Sequence, residues 1–142
     1  MTISLIQLWH ERARPTPTDN NFNVQLGCHI EEIVEMFDTL KFSSFDWSVC
    51  IHQLDMLASS LKRGHEKAVI TNRKEFLDSL ADQVVTAVGT GHCADMDVPT
   101  ACLRVNSSNW SKYDHTGHPI FNESGKIAKG SSYKEPDLEG LY

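Results

Sequence analysis

The stretch FNVQLGCHIEEIVEMFDTL, residues 22–40, decides the fold. Leu26, Ile30, Ile33, Val34, Phe37 and Leu40 recur at helical spacing, so the stretch reads as an amphipathic helix. Glu31, Glu35 and Asp38 follow i, i+4, i+7 and share a second stripe, with Glu32 beside it. On the N-terminal side, residues 3–14 read as a short helix with Leu5, Ile6, Leu8 and Trp9 inward, broken by Pro15 and Pro17. On the C-terminal side, Ser43 and Ser44 stand where a cap would for a helix from Phe45 to Leu61. Its stripe is Trp47, Ile51, Leu54, Leu57 and Leu61. Lys62, Arg63 and Gly64 supply the basic residues and glycine that commonly close a helix.

A fourth helix is predicted from Asn72 to Ala94, with Phe76, Leu77, Leu80, Val84 and Val88 on its apolar face. Val98 to Tyr113 reads as a fifth, with Pro99 in its first turn. His118 to Phe121 and Lys126 to Ala128, flanking a turn, read as a small β-hairpin. Residues 130–138 look irregular. The expectation is an all-α protein in one domain, 1–142: a helical bundle over 1–113, then a hairpin and C-terminal arm over 114–142. Gly89 and Gly91 fall inside the fourth helix at about 1 kcal/mol each relative to alanine. Close approach by another helix or a ligand is the expected reason.

Composition narrows the function. The 142 residues are 40 % apolar, too many for a disordered chain and ordinary for a globular one. No apolar run approaches the roughly 18 residues that span a bilayer. The first residues lack a basic region and an apolar signal core, so a cytoplasmic protein is expected. Thirteen basic against nineteen acidic residues give a net charge of −6. That balance disfavours nucleic acid as a partner, and admits an anionic substrate only beside a neutralising cation. Cys28, Cys50, Cys93 and Cys102 have neither disulfide-framework nor zinc spacing, and read as reduced thiols packed as small hydrophobes.

The carboxylates carry the chemistry. On the fourth helix Glu75, Asp78 and Asp82 follow i, i+3, i+7, opposite the apolar face. Neither acidic face is relieved by lysines four residues on. Each could be only a solvated face. If the two helices pack as neighbours, five or six carboxylates converge and require cations. All-oxygen ligands select Mg²⁺, with Mn²⁺ able to substitute, and the open positions of such an ion suit phosphate oxygens. A carboxylate-bridged di-iron bundle needs Glu-x-x-His on two helices, and no glutamate here has histidine three residues later.

Glu31-Glu32-x-x-Glu35 resembles the EExxE motif of the MazG-like all-α nucleoside triphosphate pyrophosphohydrolases. The segment DSLADQVV, 78–85, stands where that family has its second acidic motif, ExxD. The resemblance continues through VNSSNWSKYD (105–114), GHPIFNESGKIAKG (117–130) and Pro136 to Leu138, which resemble a phage- and integron-associated branch often labelled phosphoribosyl-ATP pyrophosphohydrolase-like. It covers most of the chain, in order. It implies a helical fold assembled as dimers or dimers of dimers, and Mg²⁺-dependent cleavage of (d)NTPs to the monophosphate and pyrophosphate. Carried over, Glu32, Glu35 and Asp82 are metal ligands, and Glu31 binds metal or orients the attacking water. The first acid of ExxD falls on Ser79, with Asp78 the nearest substitute. The implied set is therefore Glu31 and Glu35 as catalytic groups, with Glu31, Glu32, Glu35, Asp78 and Asp82 around metal. A phage-encoded copy would work in the host cytoplasm.

The chemistry also fits the residues alone, since hydrolysing a triphosphate requires neutralising its charge and aligning a water. Lys112 and Lys129 are candidate clamps on phosphate oxygens, against the alternative of solvated lysines. Asn106 and Asn109, one turn apart, are candidates for phosphate, sugar or base, against helix-end capping. Trp110 reads as core before stacking platform, and His29 as packed or solvated before cleft-lining. Base preference is not legible beyond a family-level leaning to guanine or cytosine, with dGTP slightly favoured. Two rivals stand beside the hydrolase: a non-catalytic nucleotide sensor using the same cleft, and a structural oligomer with solvated acidic faces. Trp9, Phe42, Phe45, Trp47 and Met56 exceed what one small core hides, which predicts a homo-oligomer, a dimer of dimers.

Overall fold

The computed structural model describes residues 2–123 and 125–142. The described residues form an all-α protein of five helices: α1 (Thr2–Ala13), α2 (Asp19–Asp38), α3 (Ser48–Lys62), α4 (Arg73–Cys93) and α5 (Val98–Trp110). No helix among them is long and apolar enough to cross a membrane.

Local chemistry sets most helix ends. Thr18 caps α2: its hydroxyl accepts from Asn21 N at 3.2 Å, and the Asn21 side chain accepts from Thr18 N at 3.0 Å. This is a capping box with asparagine in the usual Glu/Gln position. Asn72 caps α4 by accepting from Lys74 N and Glu75 N, and Asp97 caps α5 by accepting from Thr100 N. After α3, Gly64 takes φ +72°, and Gly64 N and His65 N return to Leu61 O and Ser60 O. That is a Schellman closure, which the positive φ reserves for glycine. The start of α3 differs from expectation. It begins at Ser48 rather than Phe45, and neither Ser43 nor Ser44 caps it. Trp47 occupies the N-cap position, while the Asp46 carboxylate accepts from Ser48 N and Ser48 Oγ.

Backbone contacts divide the chain into two units. One comprises Met1–Pro15, Ile70–Ile120 and Ile127–Tyr142; the other comprises Thr16–Val69 and Phe121–Lys126. In the second, α2 and α3 pack along their length and run antiparallel, the start of α2 beside the end of α3. Gly27 marks the tightest approach. A Cβ there would lie 2.7 Å from Ala58 O and 2.8 Å from Lys62 Cγ. Val34, Ala58 and Leu61 are buried between the helices, and Asn23 Oδ1 accepts from Ala68 N at 2.6 Å to pin the chain leaving α3.

In the first unit the core is Trp9, Ala13 and Tyr113, with Trp110 and Ile127 against it. Trp9 Nε1 donates to Asn109 O at 3.0 Å, and the Tyr113 hydroxyl donates to Trp9 O at 2.7 Å. Both polar aromatic tips are thus satisfied inside the core. The C-terminal arm is tied to α5: Ser108 Oγ donates to Lys134 O, and Arg104 donates to Asp137 O and Glu139 O. Gly91 is explained by close approach, because a Cβ there would fall 2.1 Å from Val98 Cγ2. Gly89 is not, since nothing lies within 4 Å of its added Cβ.

Several expected burials fail. The apolar face of α4 is largely exposed: Leu77 is 68 % exposed, and Leu80, Val84 and Val88 are exposed too. Leu5, Leu8, Leu40 and Leu57 are exposed as well. The periodicity marks these positions as apolar faces, and among the described residues these side chains are left largely open. The expected hairpin is not formed as paired strands among the described residues. What stands there is a turn: Asn122 N donates to Lys126 O, Gly125 N to Asn122 O, and Ala128 N to Ile120 O. Ser124, part of the stretch expected to form the hairpin's turn, lies outside the described residues.

Candidate functional site

The acidic stripe of α2 forms one wall of an open groove of about 720 Å³, within the range of small-molecule sites. Glu31, Val34, Glu35 and Asp38 line it from α2. Ser48, Ile51, His52 and Asp55 line it from α3, and Phe45, Asp46 and Trp47 close it from the connection. Helical spacing brings Glu31, Glu35 and Asp38 to this one wall because residues four and three apart stack along a helix face. Five carboxylates line the groove, and no lysine or arginine is among its lining residues.

Glu31 sits where α2, α3 and the turn at 121–126 meet. Lys62 donates to its Oε1, and Lys126 donates to its Oε2 at 3.0 Å. Burial works to raise the Glu31 carboxyl, but the two lysine hydrogen bonds and charges outweigh it and hold it below the ordinary value. Burial likewise opposes the charge on Lys126, and Glu31 overcomes this and raises the ammonium. Nearby Cys28 is pushed up, chiefly by burial. Asp46 is held low by the hydroxyl and N–H of Ser48, so its carboxylate is committed to the start of α3.

Of the residues expected at the site, Glu31 and Glu35 share the groove wall. Glu32 lies on α2 but is not among the lining residues. Asp78 and Asp82 are exposed on α4, in the other unit. Asn106, Asn109, Lys112 and Lys129 are in that unit as well. Asn106 is buried, and the backbone carbonyl of Asn109 receives Trp9. The Lys112 ammonium lies 5.9 Å from the Trp9 ring centroid, and that of Lys129 lies 4.6 Å from the Tyr133 ring centroid. Trp110 belongs to the core.

The donor chemistry of the groove suits a hard divalent cation, since carboxylate oxygen dominates it. Among the described residues, however, no three His, Cys, Asp or Glu side chains are grouped so as to hold a metal ion. The four cysteines are free thiols. The second acidic wall, Asp46 and Asp55, escaped sequence reasoning, as did the lysines on Glu31. Asp55 sits three residues after His52, a one-turn spacing that carries little information alone. Lys62 reads as an ordinary C-terminal helix cation, and Lys126 pairs with Glu31 across 95 residues of sequence. Comparison with protein-family models, curated proteins and solved structures finds no match to this chain.

Proposed function

We propose that the protein is a Mg²⁺-dependent nucleoside triphosphate pyrophosphohydrolase of the MazG-like all-α type, acting on (d)NTPs in the cytoplasm. The observation that carries this reading is the groove itself. Glu31 and Glu35 of the EExxE motif face one nucleotide-sized cleft that holds five carboxylates and no lining lysine or arginine. A triphosphate enters such a cleft only with cations. When bound, Mg²⁺ (or Mn²⁺) supplies that neutralisation and acidifies a water. Glu31, Glu32 and Glu35 are its assigned ligands on α2, and the motif resemblance assigns Asp78 and Asp82 on α4 to the same role. Glu35 and Glu31 hold and orient the water. Asn106, Asn109, Lys112 and Lys129 are the substrate contacts that the resemblance suggests, and among the substrates dGTP is slightly favoured.

The working form is a homo-oligomer, a dimer of dimers. The exposed apolar face of α4 supports this, because apolar surface such as Leu77, Leu80 and Val84 on one helix marks an interaction site. Incubation with Mg²⁺ and a dNTP mixture, with the products separated by anion exchange, tests the activity. The proposal expects pyrophosphate and monophosphate in equal amounts. Tight nucleotide binding without turnover would favour the sensor instead, and neither binding nor turnover would leave a structural oligomer.

A further inference from the structure

We infer that the aromatic end of the α2–α3 groove is a base subsite. A flat heterocycle stacks against Phe45 and Trp47 there, and Asp38 accepts from its N–H edge. This rests on the reading of the groove as a nucleotide site, and goes beyond it in assigning the base to one end of this groove.

Three observations carry it. First, the wall is braced before any ligand arrives. Trp47 packs against Phe37 at 5.3 Å and against Phe42 at 5.6 Å, and those two rings stack at 6.2 Å. A ring held in place loses little freedom on stacking. Phe45 lines the same groove yet is 67 % exposed, an aromatic face presented to whatever enters. Bases stack on such faces whatever their identity. Second, the two ends of the groove differ in character. Glu31 and Asp38 are seven residues apart, about 10 Å along the helix axis, which separates a phosphate-and-cation end from the aromatic end by roughly the reach of a nucleotide. With no lysine or arginine lining the groove, the uncharged base is the part that the aromatic end accepts without a counter-ion.

Third, the polar groups beside the aromatic wall are acceptors. Asp46 is committed to Ser48, which leaves Asp38 to read a ligand edge at this end, since Asp55 lies eight residues along α3 from Trp47, about 12 Å toward the Glu31 end. An ionised carboxylate only accepts hydrogen bonds. Adenine, cytosine and guanine present exocyclic amino groups to such acceptors, whereas thymine and uracil present a single ring N–H flanked by two carbonyl oxygens that repel a carboxylate. The subsite therefore favours amino-bearing bases.

The experiment titrates the nucleotide-free protein with deoxyadenosine, deoxycytidine, deoxyguanosine and thymidine, none carrying phosphate. Two-dimensional NMR follows the three tryptophan indole N–H signals, with Trp47 assigned through Trp47→Phe. The expected result is movement of the Trp47 signal by the three amino-bearing nucleosides, with thymidine about tenfold weaker. Phe45→Ala, at an exposed position, is expected to raise KM for every dNTP about tenfold with kcat within twofold. Asp38→Asn, which adds an N–H donor, is expected to narrow the gap to thymidine. If dNTPs are hydrolysed but the Trp47 signal ignores every nucleoside and Phe45→Ala leaves KM unchanged, the subsite is overturned and the hydrolase reading survives. If nucleosides move Trp47 but no triphosphate is cleaved, the subsite stands and the hydrolase reading falls. If thymidine binds as well as the others, the reading of the base edge by the Asp38 carboxylate is overturned.

Discussion

Replacing Lys126 or Lys62 by methionine should tighten divalent-cation binding while loosening the fold. Both Glu31 oxygens are engaged, one by each ammonium. A cation that takes Glu31 as a ligand must displace one of them. The Lys126 side chain is 46 % exposed, so its pairing is worth the roughly 0.5–1 kcal/mol of a solvated ion pair. Removing it should raise the Mn²⁺ affinity of the nucleotide-free protein about two- to fivefold. It should also lower folding stability by no more than about that same 0.5–1 kcal/mol. Lys62 is only 18 % exposed, so its removal should have the larger effect on both. Methionine preserves the Lys62 stem, whose Cγ lies at the α2–α3 crossing beside Gly27. Mn²⁺ titration by electron paramagnetic resonance, paired with thermal melts, reads both quantities. Opposite signs for affinity and stability are the signature. Unchanged or weaker Mn²⁺ binding in both variants would refute the competition, and with it the assignment of Glu31 as a ligand.

Gly27→Ala should destabilise the protein by about 1–2 kcal/mol in denaturant melts. Overpacking against Ala58 O, a backbone atom that cannot swing aside, exceeds the roughly 1 kcal/mol gain in helix propensity. Gly89→Ala, with open space around the new methyl, should instead stabilise by up to about 1 kcal/mol; a loss of stability would mean that another chain covers that face of α4. Leu77→Asp with Val84→Asp, both on the exposed apolar face of α4, should shift light-scattering mass to the monomer, and an unchanged mass would place the interface elsewhere. The Glu31 pair sets a pH window. Its carboxyl is held below 4.5, so its contribution is complete above pH 4.5 and is lost as pH falls through the lower folded value. Lys126 is raised above 10.5, so its share holds below pH 10.5 and goes as pH rises through the folded value. The melting-temperature gap between wild type and Glu31→Gln should therefore close in acid.

Helices were legible because their signals are local. The Asn72 cap, Pro99 in the first turn of α5 and the Gly64 closure all act within a few residues of themselves. The α2 stripe was legible for the same reason, since i, i+4, i+7 is geometry internal to one helix. What sequence could not supply was partnership. The apolar face of α4 has the right period, yet periodicity does not say whether the covering surface belongs to the same chain. The groove's second wall depends on α2 and α3 running antiparallel at the Gly27 crossing, which brings Asp55 of α3 to the groove that Glu35 lines. Lys126 reaches Glu31 from 95 residues away, a contact without a local signature. The α3 start was misplaced because Asp46, rather than Ser43 or Ser44, supplies the acceptor for the first turn.

On the proposed function, the carboxylates of α2 support cleavage of a nucleoside triphosphate to the monophosphate and pyrophosphate. Pyrophosphate release from dNTPs tests this when wild type and Glu35→Gln are assayed side by side, with and without Mg²⁺, after circular dichroism has shown matching folds. Wild type is expected to release pyrophosphate only with Mg²⁺, in step with monophosphate, and Glu35→Gln to lose turnover. Equal pyrophosphate release by both proteins, or release of orthophosphate and the nucleoside diphosphate instead, would refute it.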